Sequence, residues 1–404
     1  MLEAAIQSVY TLPPDKLAKA IALYHARSLA YFGDTAWTIA ALWLLVRLGA
    51  GPAIRNLAAR PSPRPWVQGL IVAPIWLVIL TLLGLPIELI MQHVDLVYGI
   101  SVEPWSLWWA DFGKSTLLTL LVGTAVLAVL YALMRRSKHR WWLWFWILSI
   151  PVEVAAIFIV PVIIDPWFDH FSPLAKADPA LVDQLERVAA RGHLHIPPDR
   201  MYVMDASAKV TGPNAYVTGF GASKRIVVWD TTLRELPADE ILGTCGHEQG
   251  HYVLQHIPKG IAFSAVVTLA FFWTGFHLLR WLVRRYGPNW RIPSLDNWSS
   301  VGLLLLVVTV LGFFAEPVSN AFSRRIEHQA DVYGQEVIHG LVSNPQATMA
   351  EDFQRLGELW LEVPHPNPVV VFWTYSHPPT ADRMRFAANY DPWSSGEHPR
   401  YVAR

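Results

Sequence analysis

The hexapeptide Gly246-His247-Glu248-Gln249-Gly250-His251 constrains how the rest of this 404-residue chain must fold. It is an H-E-x-x-H pattern, and side chains four residues apart on a helix lie on the same face. His247 and His251 therefore offer two imidazole nitrogens to one ion, as in zinc enzymes. Glu248 is rotated by about 100° from His247, so its carboxylate lies beside the ion, where it can act as a general base.

Residues around the hexapeptide predict that it is helical. Pro237 suits a first helical turn, Asp239 and Glu240 lie where the helix dipole favours negative charge, and Ile257-Pro258 indicates an end. The single cysteine, Cys245, lies on another face of such a helix, so we expect it to pack in a core rather than bind metal. The alternative is that the H-E-x-x-H pattern arose by chance. A third ligand elsewhere in the chain favours the zinc site over that alternative.

The composition is that of a membrane protein. Hydrophobic residues make up 53% of the chain, charged residues only 16%, and there are 20 tryptophans, a balance unusual for a soluble globule. The net charge is zero, which argues against nucleic acid as a partner. Residues 1–32 lack a basic segment followed by an apolar core, so we expect no removable signal peptide.

Five or six apolar segments approach the twenty or so residues that a hydrocarbon layer of about 30 Å requires. Asp34 interrupts the first, and the preceding residues 15–31 suit either an amphipathic surface helix or the beginning of that span. Asp34 and Glu153 should face the bundle interior or a wet cavity, because lipid is costly for charge. The candidate spans cover residues 31–46, 65–88, 115–134, 141–164, 260–279 and 298–315.

A water-soluble stretch, residues 165–259, separates the fourth span from the fifth. Asp178-Pro179 begins a predicted helix that runs to Arg191. Residues 201–204, 214–219 and 225–229 predict strands, the last two joined as a hairpin through residues 221–224. An exposed edge of that hairpin can pair with an extended peptide substrate. A sheet that only supports the zinc helix is the alternative.

A third ligand is available after the sixth span, in the segment R-R-I-E-H-Q-A-D at residues 324–331. Glu327 can bind the ion, and Asp331, one turn later on the same face, can accept a hydrogen bond from a ligating histidine. His328 is the alternative ligand, without such a partner. Because two spans separate His251 from Glu327, those spans must form a hairpin, and the metal must lie at the membrane surface or in its mouth.

Five segments together resemble the integral-membrane M48 zinc metallopeptidases, and among them the type I CAAX prenyl proteases. Two are the hexapeptide and residues 324–331. The others are N-A-Y at residues 214–216, F-D-H-F-S-P-L at residues 168–174 and Y-S-H-P-P at residues 375–379. They follow the family's order, and the resemblance covers residues 15–386.

The resemblance implies one zinc ion bound by His247, His251 and Glu327, with Glu248 as the general base. It also implies that His377 and Arg383 stabilise the tetrahedral oxyanion, that Asn214 holds the substrate backbone, and that helices enclose an intramembrane chamber. Without the resemblance, His377 and Arg383 would indicate only a surface turn and a salt-bridging arginine.

We therefore expect a mainly α-helical, polytopic membrane protein with about six transmembrane helices and a small α+β, gluzincin-like protease domain. The predicted parts are a membrane region with four spans (residues 1–164), two parts of the protease domain (165–259 and 316–404) and a transmembrane hairpin between them (260–315). The expected activity is a zinc-dependent endopeptidase acting on peptides or proteins, lipidated or membrane-embedded. An HtpX-like quality-control protease is the second enzyme hypothesis, and a transporter or scaffold with structural zinc is the hypothesis of another class.

Loop charges indicate which face of the membrane carries the site. Residues 47–64, 135–140 and 280–296 carry net charges of +4, +4 and +3, whereas residues 88–114, 165–259 and 316–404 carry −3, −3 and −4. Short basic loops prefer the cytoplasm, which places the protease domain outside it. The resemblance, through its eukaryotic members, implies a cytosolic site instead. The short connections favour a bacterial cell-membrane protein.

Overall fold

The membrane region is built from long helices. The computed structural model describes residues 9–219 and 224–402. Within them, six helical segments are long and apolar enough to cross a membrane, which confirms the predicted number of spans. The helices of the first part are α1 (Pro14–Leu48), α2 (Ala50–Ala59), α3 (Pro65–Tyr98), α4 (Trp105–Arg136) and α5 (Trp141–Ile159).

Helix α1 decides between the two expectations for the residues before the first span. It runs unbroken from Pro14 at its first turn to Leu48, so residues 15–31 extend the span and do not form a separate surface helix. Gly49 ends the helix with a left-handed φ of 77°, and its N–H donates to the carbonyls of Leu45 and Val46. Asp34 is half-buried within this helix.

A four-stranded sheet has the strand order β1-β2-β4-β3. Its strands are β1 (Phe171–Pro173), β2 (Met201–Met204), β3 (Ala215–Thr218) and β4 (Arg225–Trp229). Strands β3 and β4 pair antiparallel, as the predicted hairpin requires, and its connection at residues 220–223 lies outside the described residues. Strand β1 was not predicted, because three residues that end in proline give no alternation. The pairing places β3 at one edge of the sheet.

Among the described residues, seven shorter helices accompany this sheet. They are α6 (Leu174–Ala177), α7 (Pro179–Arg191), α8 (Asp230–Glu235), α9 (Ala238–Val253), α12 (Pro345–Leu359), α13 (Pro368–Thr374) and α14 (Thr380–Asn389). Helix α7 has the predicted bounds, with the Asp178 side chain accepting from the Leu181 N–H at its beginning. Cys245 is fully buried in the core that these helices share with the sheet.

Two long helices, α10 (His256–Trp290) and α11 (Val301–Ile338), form the hairpin that the spacing of the ligands predicts. Helix α11 is continuous through residue 315, so one helix spans the membrane and carries Glu327. The expectation that Ile257-Pro258 ends the zinc helix is wrong. Helix α9 already ends at Val253, the chain turns at Gln255 with φ of 58°, and Pro258 falls in the first turn of α10, where proline is tolerated.

Close contact between α9 and α11 depends on glycine. A Cβ atom on Gly334 would approach the backbone nitrogen of His247 to 2.8 Å, and one on Gly246 would approach Val337 Cγ1 to 2.8 Å. Distances this short displace a neighbour, and the neighbour of Gly334 is backbone rather than a flexible side chain. Glycine at these two positions therefore sets how closely the two helices that carry the predicted ligands approach.

Replacing Gly334 with alanine should push α9 away from α11. We expect Gly334→Ala to lower the free energy of unfolding by about 1–3 kcal/mol, the usual cost of overpacking, and to weaken metal binding. Gly312→Ala is the matched control on the same helix, because a Cβ there meets nothing within 4 Å. Thermal unfolding and metal content of both purified variants test this, and equal behaviour of the two would contradict it.

Candidate metal centre

Three side chains from α9 and α11 converge on one point. His247 Nε2 lies 3.3 Å from His251 Nε2 and 3.1 Å from Glu327 Oε2, and His251 Nε2 lies 3.7 Å from the same oxygen. Ligands bound tetrahedrally to zinc at roughly 2.0–2.1 Å are about 3.3 Å apart. Two imidazoles and one carboxylate at this spacing therefore fit a divalent metal ion.

Electrostatics at this point favour positive charge. Burial opposes protonation of His247, but its hydrogen bonds with Asp331 and Glu327 outweigh burial and raise its pKa to about 10. A site that stabilises an extra proton so strongly also stabilises a cation in its place.

Glu248 lies beside the cluster rather than within it. Its Oε1 is 4.0 Å from His247 Nε2, farther than Glu327 Oε2. Ligand atoms of His247, Glu248 and His251 all lie within 4.8 Å of one another, so Glu248 remains within reach of anything bound to the histidines. Burial raises the pKa of Glu248, opposed by His247 and His251. At this position Glu248 can accept a proton from a group bound to the histidines.

A chain of charged groups orients His247. Its Nδ1 lies 2.8 Å from Asp331 Oδ1, so the Nδ1–H donates to that carboxylate and Nε2 is left for the metal. Asp331 in turn accepts from Arg383, from Nε at 3.0 Å and from a terminal nitrogen at 2.7 Å. The Arg383 guanidinium also lies over the Phe353 ring at 4.3 Å. Arg383 thus reaches the site through Asp331, and its role at an oxyanion stays a prediction.

His377 contacts the ligand cluster, and Asn214 shares a cleft with His377. His377 Nε2 is 3.3 Å from Glu327 Oε2, and its side chain is 56% exposed. Asn214 is exposed immediately before the edge strand β3, and its side-chain oxygen accepts from the Ala215 N–H at 2.8 Å. Both residues line a cleft of about 470 Å³, together with Arg383. The alternative ligand, His328, points away and packs on Phe386 with ring centroids 4.6 Å apart.

Two residues near the site were missed from the sequence. His256 Nδ1 lies 3.1 Å from His251 Nδ1, and His256 Nε2 lies 3.1 Å from Gln329 Oε1. Five residues along one helix would place His256 on a different face from His251. Only the left-handed turn at Gln255 brings it back, and no sequence pattern indicated that turn.

Helix α9, which carries both histidines of the cluster, contacts α12 through polar side chains. Thr244 donates to Asp352 Oδ2 at 3.0 Å, and Arg355 forms two hydrogen bonds with Glu240, at 2.8 and 3.0 Å. Burial raises the pKa of Asp352 to about 7, and the charge of Glu240 adds to the rise.

Asp352 should make stability depend on pH. Its pKa rises from 3.8 in the unfolded chain to about 7 in the fold, so the folded state keeps a proton that the unfolded state has lost. Stability from this group is therefore lost as pH rises between those values. We expect Asp352→Asn to unfold about 2–4 °C above the wild type at pH 8, with the gap shrinking towards pH 4. Glu351→Gln is the exposed control, and a gap independent of pH would refute the expectation.

Comparisons with known proteins cover both parts of the chain. The family model described as "Peptidase family M48" matches residues 175–391, and the model described as "CAAX prenyl protease N-terminal, five membrane helices" matches residues 7–170. A Bacillus subtilis protein described as "Uncharacterized metalloprotease YhfN" is 33% identical over 376 residues, which are 93% of this chain and 86% of that protein.

Similarity also extends to eukaryotic proteins. The Arabidopsis thaliana CAAX prenyl protease 1 homolog is 29% identical over 279 residues, covering 68% of this chain and 62% of the plant protein. Among solved structures, that of S. mikatae Ste24p superposes with a TM-score of 0.79 at 23% identity, covering 93% of this chain and 89% of that one. At this identity the superposition shows a shared fold.

Proposed function

The chain belongs to peptidase family M48, in its integral-membrane CAAX prenyl protease branch, and on that premise we propose that His247, His251 and Glu327 bind a catalytic zinc ion. The protein is a multi-pass membrane metalloendopeptidase. The convergence of His247 Nε2, His251 Nε2 and Glu327 Oε2, with Glu248 beside them, supports the ligand assignment. When bound, zinc supplies a Lewis acid that polarises a carbonyl and acidifies water.

The chain's own residues supply the proton transfers and the positioning. Glu248 accepts the proton of the attacking water and returns it to the leaving amine. His377, exposed above Glu327, donates from its ring N–H to the oxyanion of the tetrahedral intermediate. Arg383 holds Asp331, and Asp331 keeps the Nε2 lone pair of His247 directed at the ligand cluster.

We propose that the substrate adds to the edge of strand β3. In the described residues β3 pairs only with β4, so its outer edge offers free backbone groups, and Asn214 stands at its beginning. An extended peptide lying there can form main-chain hydrogen bonds beside His377. The Arabidopsis thaliana relative is named a CAAX prenyl protease homolog, and a lipidated or membrane-anchored protein is the proposed substrate here. Cleavage of a prenylated peptide compared with an unfolded membrane protein distinguishes this from a quality-control protease.

Replacing Glu248 tests the role of the base. We expect Glu248→Gln to keep bound zinc, because Glu248 is not a ligand, while kcat falls by about 10²–10⁴-fold. Metal content and cleavage of a fluorogenic peptide by the purified enzyme give both values. Glu351→Gln, an exposed exchange of the same kind, should cleave at the wild-type rate. Wild-type turnover by Glu248→Gln would overturn the mechanism.

We propose that the site faces the extracytoplasmic side of a bacterial cell membrane. The basic loops at residues 47–64, 135–140 and 280–296 support this, because short basic loops stay in the cytoplasm. The three basic loops lie together, since Arg135 donates to the Asp296 carbonyl and Arg291 to the Leu48 carbonyl. The stretches after α5 and α11 leave from the other ends of these helices.

Labelling of introduced cysteines tests the orientation. The native Cys245 is fully buried and should give little background. We expect a membrane-impermeant maleimide to label Ser395→Cys in intact cells, since Ser395 is exposed on the protease domain. Lys138→Cys, exposed in a basic loop, should be labelled only after the membrane is permeabilised. The reverse pattern would place the site in the cytosol.

A further inference from the structure

His251 has a hydrogen-bond partner of its own, different in kind from the carboxylate that holds His247. Its Nδ1 lies 3.1 Å from His256 Nδ1, and the two rings meet edge to face with centroids 5.1 Å apart. His256 is only 3% exposed, so water does not compete for its nitrogens. Its second nitrogen lies 3.1 Å from Gln329 Oε1.

The backbone holds this contact in place. Gln255 adopts a left-handed φ of 58°, and the next residue begins α10. A non-glycine residue is strained in this conformation, so the surrounding structure must impose it. The turn returns His256 against His251, whereas a continuous helix would carry it to another face.

If His251 binds metal, the hydrogen bonds that link His251, His256 and Gln329 can run in only one direction. His251 Nε2 faces His247 Nε2 and Glu327 Oε2, so as a metal ligand it must lack a proton there and carry it on Nδ1. That Nδ1–H donates to His256 Nδ1, which leaves the His256 proton on Nε2. The His256 Nε2–H then donates to the Gln329 oxygen, which can only accept.

The opposite direction is incompatible with metal binding. If Gln329 presented its amide N–H instead, His256 would accept at Nε2 and donate from Nδ1. His251 would then accept at Nδ1 and carry its proton on Nε2, where the metal should bind. The orientation of the Gln329 amide therefore sets the tautomer of His256. The tautomer of His256 in turn selects the tautomer of His251 that can bind metal.

We propose that His256 is a positioning residue for the metal ligand His251, with Gln329 fixing the tautomer of His256. This inference rests on the proposed ligation by His251. Helix α11 then contributes three residues to the centre. Glu327 is the ligand, Asp331 orients His247 directly, and Gln329 orients His251 through His256. His247 is held by a charged acceptor, whereas His251 is held by two neutral side chains in series.

The affinity of the full-length protein in detergent for zinc, measured by competition with a chromophoric chelator, tests the proposal. We expect His256→Phe, which keeps a ring but removes both nitrogens, to weaken zinc binding by about 10–100-fold. His256→Asn, whose side-chain oxygen can still accept from His251 Nδ1, should recover most of that loss. Exposed His365→Phe is the matched control and should bind zinc as the wild type does.

The absorption spectrum of the cobalt-substituted protein provides a readout that a purely structural role would not move. We expect His256→Phe to shift the ligand-field bands, because His251 can then rotate or bind with altered basicity, and His256→Asn to restore them. Gln329→Leu tests the same chain from a half-exposed position, should His256→Phe fail to fold. It should weaken zinc binding by about tenfold, whereas Gln329→Glu, which keeps an acceptor, should not.

The outcomes separate this inference from the proposed ligand set. Wild-type zinc affinity and cobalt spectra in folded His256→Phe or Gln329→Leu would overturn the positioning role. If these variants behave as the wild type while His251→Ala loses zinc, the ligand assignment stands and only the chain through His256 is wrong. If His251→Ala also binds zinc normally, the proposed centre itself is wrong.

Discussion

The contact between α9 and α11 is the constraint on which the rest of the structure depends. Ligands from the two helices must come within about 3–4 Å of one another to share an ion, and side chains at the crossing would hold the helices too far apart. Gly246 and Gly334 remove that obstacle, since a Cβ on either would meet atoms of the other helix at 2.8 Å. The membrane hairpin of α10 and α11 returns the chain to this crossing.

This dependence explains why the positions of the candidate ligands were more predictable than the architecture around them. The histidines of the hexapeptide and Glu327 belong to patterns with a four-residue spacing on helices, and helical periodicity is a local property that the sequence displays. The same holds for Asp331, one turn beyond Glu327. The hairpin of α10 and α11 followed from ligand spacing alone, because a carboxylate two spans downstream can join the histidines only if the chain returns.

Features that needed tertiary information were missed or mistaken. Strand β1 has three residues and pairs only because β2 lies beside it, so no local pattern marked it. The end of α9 was placed at Pro258, although proline in a first turn and proline after a last turn look alike in sequence. The turn at Gln255 was invisible for a related reason: glutamine has no preference for a left-handed φ, and the conformation is imposed by packing. His256 was missed with it.

The charges around the centre also follow from its position at the end of a membrane helix. Asp331 is fully buried and would be costly if unpaired, and Arg383 neutralises it with two hydrogen bonds. The groups nearest Glu327 Oε2 are histidine nitrogens, His247 Nε2 at 3.1 Å, His377 Nε2 at 3.3 Å and His251 Nε2 at 3.7 Å. Without an ion, a proton on His247 balances this carboxylate, because the neighbouring carboxylates raise the pKa of His247 to about 10. A divalent cation can take the place of that proton and join both helices, so metal binding and the packing of α9 on α11 stabilise each other.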